Sequence, residues 1–251
     1  MLGVTVLGNG NVGSFFAQLC STHPQIKLVQ WYGRTNNFLP TVKTEKISQL
    51  TALKQTDLLL LCIKDDALAT LAQKIKVSGL VAHTSGTVPM TALEQHPSHG
   101  VCYPLQTISK SEFPSVNEVP LCIEGNNAVA LDTLKQFAAL LGMPQQEINS
   151  EQRKTLHLAA VFTNNFANHL FARAEVLCQQ QQVDFKLLLP LLMRSVQQLH
   201  TQQPIALQTG PARRQDKKTL AAHLELLEEA SNKEIYTLLT KAIQEYYGKE
   251  L

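Results

Sequence analysis

The chain has 251 residues, 44% of them hydrophobic and 17% charged, with a formal net charge of +2 at pH 7. That length buries a sizeable core, and the composition is that of a globular protein, not a disordered or fibrous one. Ten basic and ten acidic residues precede Ser150 and twelve and ten follow, so neither part is a basic nucleic-acid surface or an acidic tail, and no run reaches membrane length.

The five cysteines, Cys20, Cys62, Cys102, Cys122 and Cys178, are odd in number, widely spaced and without a C-x-x-C. They read as reduced core residues of a cytoplasmic protein, not as a disulfide framework or a zinc site. No signal peptide is read ahead of the first strand.

That strand, Val4 to Leu7, enters Gly8-Asn9-Gly10-Asn11-Val12-Gly13, and an amphipathic helix leaves it. Strand, glycines and helix in this order form the dinucleotide-binding fingerprint. Gly8 takes the turn, Gly10 lets a pyrophosphate approach the backbone, and Gly13 lets helix and strand pack closely. The helix start then offers N–H groups and a partial positive charge to the phosphates. The plainer alternative is a tight turn that binds nothing.

Lys27 to Tyr32 is the second strand. An NAD-binding chain carries an acidic residue near its end, but here Gly33-Arg34-Thr35 follows, and the first acid of the chain is Glu45. Arg34 attracts a 2′-phosphate and the Thr35 hydroxyl adds a donor, so NADP(H) is the expected cofactor. Otherwise Arg34 is a solvated loop residue. Residues 36 to 56 are poorly patterned, with one helical candidate from Thr44 to Leu53.

Thr56 to Ile63 is an apolar run of the kind a parallel strand shows when helices cover both faces. Ile63 and Lys64 stand at its end, where ligands bind in such sheets. Asp65 and Asp66 read as an N-cap and a first-turn acid of a helix over Ala67 to Ile75. The strand Gly79 to His83 ends in Thr84-Ser85-Gly86-Thr87, either a ligand loop or a capped turn. Gly100 to Thr107 is a short strand ending in Tyr103, Gln106 and Thr107. Pro120 to Gly125 is another, and Ala128 to Leu141 a helix closed by Gly142. The alternation predicts a doubly wound, mostly parallel Rossmann sheet over residues 1–148.

From 149 to 251 strand signals stop and an all-helical domain is expected. Asn149-Ser150-Glu151-Gln152 caps a helix that runs to about 180. It is apolar almost all round and reads as buried. His157, Asn164 and Asn168 share one face at α-helical spacing, with Asn165 and His169 beside it. Buried amides and imidazoles must find partners, so the stripe is either a pocket wall, an internal network or a dimer seam. Phe185 to His200 is a helix with a late start at Pro190, Lys217 to Ala230 another, and Ser231-x-x-Glu234 a capping box opening the last. Asp216, Thr219 and His223 share a face, and Arg213 and Arg214 either hold an anion or stay solvated. No residues have metal-ligand spacing.

Together these motifs resemble the NADP oxidoreductases that join a pyrroline-5-carboxylate-reductase-like Rossmann domain to a helical domain of unknown function. The matching stretches are Gly8 to Gly13, His83-Thr84-Ser85-Gly86, Tyr103-Pro104-Leu105-Gln106-Thr107, His157 to Phe166, and Gly210-Pro211-Ala212-Arg213-Arg214-x-Asp216-x-x-Thr219. The helical part is similar to the C-terminal domains of the 6-phosphogluconate and 3-hydroxyisobutyrate dehydrogenase superfamily, which implies a homodimer. In the latter enzymes a lysine on the equivalent helix is the acid/base. Here the sequence departs from the pattern: Lys154 lies a turn before His157 and no lysine sits in the asparagine stripe, so either His157 takes that role or catalysis is absent or different.

The reading is an oxidoreductase for a small polar C=O or C=N substrate, carboxylate-bearing substrates included. The glycine loop with Arg34 and Thr35 holds NADP(H). Ser85, Tyr103 and Gln106 line the nicotinamide side, His157 moves the proton, and Asn164 and Asn168 orient the substrate, with Ser85 also a catalytic candidate. The alternative is a non-catalytic NADP-binding sensor or scaffold that dimerises through its helices. A methyltransferase ranks third, because it would want the missing ribose-binding acid.

Overall fold

The structure, a computed structural model, describes residues 1–247. The chain separates into two compact units, Met1–Phe162 and a second that begins at Thr163. The first turns of the helix after Asn149 therefore group with the sheet.

The first unit holds β1 (Leu2–Leu7), α1 (Asn11–Thr22), β2 (Ile26–Tyr32), β3 (Glu45–Ile47), β4 (Leu58–Leu61), α2 (Asp65–Ala72), β5 (Leu80–His83), β6 (His99–Pro104), β7 (Leu121–Gly125), α3 (Ala128–Leu141), β8 (Gln145–Glu147) and α4 (Ser150–Ala160). The strands form one sheet in the order β3-β2-β1-β4-β5-β6-β7-β8. Every neighbouring pair is parallel except β6 with β7. This is the doubly wound Rossmann sheet that the alternation of strands and helices predicts. Successive side chains of β4 explain its unbroken apolar run. Leu58 and Leu60 enter the core that α1 and α3 cover with Phe15, Phe16, Leu134 and Phe137. Leu59 and Leu61 enter the opposite core, closed by Leu68 and Ala72 of α2. Cys20, Cys62, Cys102 and Cys122 are buried and free, as core thiols should be.

Past Ala160, residues Val161–Phe166 form a π-helical segment that spans the unit boundary. The second unit continues with α5 (Ala167–Gln180), a 3-10 turn (Phe185–Leu188), α6 (Leu189–Gln198), α7 (Pro204–Leu207), α8 (Lys217–Leu226) and α9 (Ala230–Tyr247). Pro190 lies in the first turn of α6, where its missing N–H is not needed.

Several expectations are corrected. The candidate helix from Thr44 to Leu53 is instead β3 and a 3-10 turn, Leu50–Ala52. Pairing of Glu45, Lys46 and Ile47 with β2 outweighs their local helical pattern. Asp65 is not an N-cap: Lys64 holds that position and both aspartates lie in the first turn of α2. The helix from Lys217 ends at Leu226, and α9 starts at Ala230, so Ser231 lies inside it and does not cap it. The long helix is not buried. Leu158 and Phe162 are 58% and 61% exposed, and α5 has no buried residue. Nor is it α-helical throughout. A π turn closes i to i+5 bonds, so the α-helical spacing that put His157, Asn164 and Asn168 on one face does not hold across Val161–Phe166.

Candidate functional site at the carboxyl edge of the sheet

The turn from β1 into α1 shows why each glycine is there. Gly8 has φ +116°, and a Cβ on it would lie 2.0 Å from the Cys62 carbonyl oxygen. A Cβ on Gly13 would lie 2.1 Å from the Gly8 oxygen, whereas one on Gly10 would meet nothing within 4 Å. The second glycine thus faces open space, as a loop that admits a pyrophosphate requires. Gly10 caps α1 without any side-chain hydrogen bond, and the first turn carries no acid. The first N–H groups of Asn11, Val12 and Gly13 therefore meet no capping side chain and no opposing charge, which fits an anion there. Asn9 ties two loops together. Its Nδ2 donates to the Thr35 carbonyl at 2.7 Å, fastening the glycine loop to the loop after β2.

That second loop carries Arg34, exposed, on a cavity of about 270 Å³ lined by Gly33, Thr35, Asn36, Lys46 and Ser48 among others. Among the described residues no carboxylate lines it. Glu45, beside Lys46 in β3, is paired instead with Lys54. Lys46 stands with its Nζ 5.6 Å from the centre of the Phe38 ring, a cation–π contact that steadies the ammonium. Sequence reasoning found Arg34 and Thr35 but missed Lys46 and Ser48, because a helix was expected there.

Ile63 and the exposed Lys64 follow β4, with Lys64 as the N-cap of α2. Ser85 is buried and spends its hydroxyl on the turn, accepting from Thr87 N at 3.1 Å and Val88 N at 3.0 Å. Thr87 Oγ1 donates to Asp65 Oδ2 at 2.6 Å, so α2 clamps this turn. Gln106 is fastened too: Nε2 donates to Glu118 O and Oε1 accepts from Thr107 N. Tyr103 and His157 come together, with the phenol oxygen 3.0 Å from His157 Nδ1. Their rings meet edge-on, centroids 5.9 Å apart. Gly86 packs against both. A Cβ there would lie 2.6 Å from His157 Nδ1 and 3.0 Å from Tyr103 Cζ. Burial pushes the Tyr103 phenol above its ordinary range.

Asn164 and Asn168 are exposed and belong to the second unit. In that unit Asp216 caps α8, accepting from Thr219 N and Oγ1. His223 pairs with the Tyr236 hydroxyl at 2.8 Å, and Arg213 donates to Gln208 O and lies against the Tyr247 ring. His169 accepts from Arg173 Nε at 2.8 Å. Asp216, His223, Arg213 and His169 thus each have a structural partner, while Arg214 stays exposed.

One buried network that the sequence did not announce holds α4 to the sheet. Arg153 is fully buried; Nη1 donates to Glu124 Oε2 and Nη2 to Val88 O, each at 2.6 Å. Ser150 Oγ donates to Glu124 and accepts from Met90 N. Four residues on, His157 lies one helical turn further along the same face. Near this network His83 is buried, its Nδ1 accepting from Ser85 N. Burial, then the Arg153 charge, holds its pKa down at about 4. An unfolded histidine takes its proton near 6.5, so acid favours the unfolded chain. Stability is then complete above about pH 6.5 and falls by up to roughly 3 kcal/mol toward pH 4. Urea unfolding at about pH 7.5 and about pH 5 is expected to differ by about 2 kcal/mol of that loss, and His83→Asn to flatten the difference.

Among the described residues no helix is long and apolar enough to cross a membrane, and no group of three or more His, Cys, Asp or Glu could hold a metal.

Residues 119–243 match a family model described as a domain of unknown function, DUF2520. A comparison with curated proteins gave no match. Among solved structures, a putative NADP oxidoreductase from Bacteroides fragilis is similar at 34% identity and a TM-score of 0.88, over 97% of this chain and 98% of that one. Pyrroline carboxylate reductase from Plasmodium falciparum, solved with NADP bound, shares the fold at 18% identity and a TM-score of 0.60, over 98% and 97% of the two chains. An imine reductase variant from Myxococcus stipitatus, solved with NAD+, shares it at 14% identity and 0.65, over 99% and 96%. With a Rossmann unit built on Gly8, Gly10 and Gly13 and one-third identity along its length, the chain belongs to the family of putative NADP oxidoreductases.

Proposed function

We propose that the protein is an NADPH-dependent oxidoreductase acting on a small polar C=O or C=N group. The observation that carries this reading is the glycine turn, whose first and third glycines are closed by backbone while the second opens on space beside an uncapped helix start. Arg34 and Lys46, with no carboxylate in their cavity, favour the 2′-phosphorylated nucleotide. When bound, the nucleotide supplies hydride. The chain holds its phosphates at Gly8 to Gly13, and His157 handles the proton from beside Tyr103. The exposed apolar residues Leu158, Phe162, Phe166 and Leu170 support a homodimer that covers them.

Fluorescence titration tests the reading. Wild type is expected to prefer NADPH to NADH, and Arg34→Ala to lose on the order of 1.5–3 kcal/mol of NADPH binding and none of NADH. His157→Ala is expected to bind NADPH like wild type and to lose turnover. Equal binding of both nucleotides would remove the 2′-phosphate assignment. Binding of neither would remove the oxidoreductase.

A further inference from the structure

We propose that Tyr103 is a positioning residue that fixes His157 as its Nε2–H tautomer, so that the ring presents a hydrogen-bond donor, not a lone pair, to a substrate. The use of the ring rests on the oxidoreductase reading; the tautomer itself does not.

The two rings come from distant parts of the chain, Tyr103 at the end of β6 and His157 in α4, and meet through the phenol oxygen and Nδ1 at 3.0 Å. A phenol carries one proton to donate, and a neutral imidazole carries one proton on one nitrogen and a lone pair on the other. Among the described residues, His157 Nδ1 is the only hydrogen-bond partner of the Tyr103 hydroxyl. If Nδ1 held the imidazole proton, it would point at the phenol oxygen and leave the phenol proton without a protein acceptor. With the proton on Nε2, the phenol donates to Nδ1 and both groups are satisfied. Burial pushes the Tyr103 phenol up, which keeps it a donor across the neutral range. Gly86 removes the freedom to escape this arrangement. Its backbone packs so close that one added Cβ would reach 2.6 Å from Nδ1 and 2.9 Å from Cγ. Arg153, one turn earlier, anchors α4 to Glu124 and Val88. Nε2 meets no hydrogen-bond partner among the described residues.

The tautomer carries a chemical consequence. An imidazole with Nδ1 occupied and Nε2 protonated has no lone pair with which to take a proton from an alcohol or amine. It can donate to the oxygen of a carbonyl or the nitrogen of an imine and polarise it. The site is thus arranged for an acceptor-bearing substrate, which is the reducing direction.

The test is a long-range proton–nitrogen correlation spectrum of the full 15N-labelled chain near pH 8, with His157 assigned from a His157→Gln sample. The expected spectrum has a protonated Nε2 and a bare Nδ1. Tyr103→Phe keeps the ring against Gly86 and removes only the donor, and is expected to move both nitrogens toward the averaged shifts of mixed tautomers. Gly86→Ala, which displaces the ring without removing either group, is expected to do the same. A protonated Nδ1 in wild type, or a Tyr103→Phe spectrum identical to wild type, would overturn the proposal. No nucleotide is needed for this measurement. A chain that shows the tautomer but binds no NADPH would therefore remove the oxidoreductase reading alone, and one that binds NADPH with the other tautomer would remove this inference alone.

Discussion

Arg153→Met is expected to lower the unfolding free energy by about 3–5 kcal/mol. The guanidinium is fully buried and its donors meet the Glu124 carboxylate, the Val88 carbonyl and the Ser150 hydroxyl. Methionine replaces much of the side-chain volume but none of the charge. The Glu124 side chain, 15% exposed, then keeps only Ser150 N and Oγ as donors. An uncompensated carboxylate in that setting costs far more than the pair contributed. Trp31, the only tryptophan and fully buried in the first unit, reports the transition by fluorescence during urea unfolding. The pair Arg153→Met with Glu124→Gln is expected to recover part of the loss, because the stranded charge goes with its partner. A single-variant loss below about 1 kcal/mol would mean that water already reaches Glu124 and that α4 is held by other contacts.

The glycine loop gives the second large effect, and a contrast that separates folding from binding. Gly13→Ala places a Cβ 2.1 Å from the Gly8 oxygen and 2.8 Å from the Gly8 carbonyl carbon. Both are backbone atoms, which no side-chain rotation can relieve, so α1 must move off β1. A loss of about 1–3 kcal/mol in stability is expected, together with loss of NADPH binding. Gly10→Ala meets nothing within 4 Å. It is expected to unfold like wild type and yet to bind NADPH at least tenfold more weakly, a difference of about 1.4 kcal/mol. The measurements are urea unfolding and fluorescence titration on the same two variants. Gly10→Ala with undiminished NADPH binding would show that the open space beside this loop is not where a pyrophosphate lies.

What could be read from the chain follows from how local each signal is. The strands β4 and β5 announce themselves because burial on both faces forces continuous apolar runs, of which Leu58 to Leu61 is the clearest. The capping box of Asn149 and Gln152 and the left-handed Gly142 likewise depend only on neighbours a few residues away. β3 and β8 were hidden because each has three residues and takes its identity from a partner strand. With β3 misread, Lys46 was lost as a companion of Arg34. Tyr103 and His157 were each readable as candidates, but their hydrogen bond spans 54 residues and leaves no mark in spacing. The facing of the asparagine stripe relative to His157 was hidden for a different reason. Nothing in Val161 to Phe166 distinguishes a π from an α turn, so an α-helical period could not be carried across it.

The same two short strands explain how this sheet ends without inviting another. A free strand edge offers unpaired N–H and C=O groups to any extended segment that drifts against it, and long apolar edges polymerise. Here one border is Glu45-Lys46-Ile47, with the glutamate and lysine exposed, and the other is Gln145-Gln146-Glu147, exposed throughout. Lys135 reaches across to Glu147 at 3.3 Å and Lys54 to Glu45, so each border carries an ion pair. Three residues are too few to template another strand, and an added strand would have to desolvate these exposed charged side chains. Apolar substitution at Glu45 and Lys46, or at Gln145 and Glu147, would leave the core untouched and turn a guarded boundary into a seed for fibres.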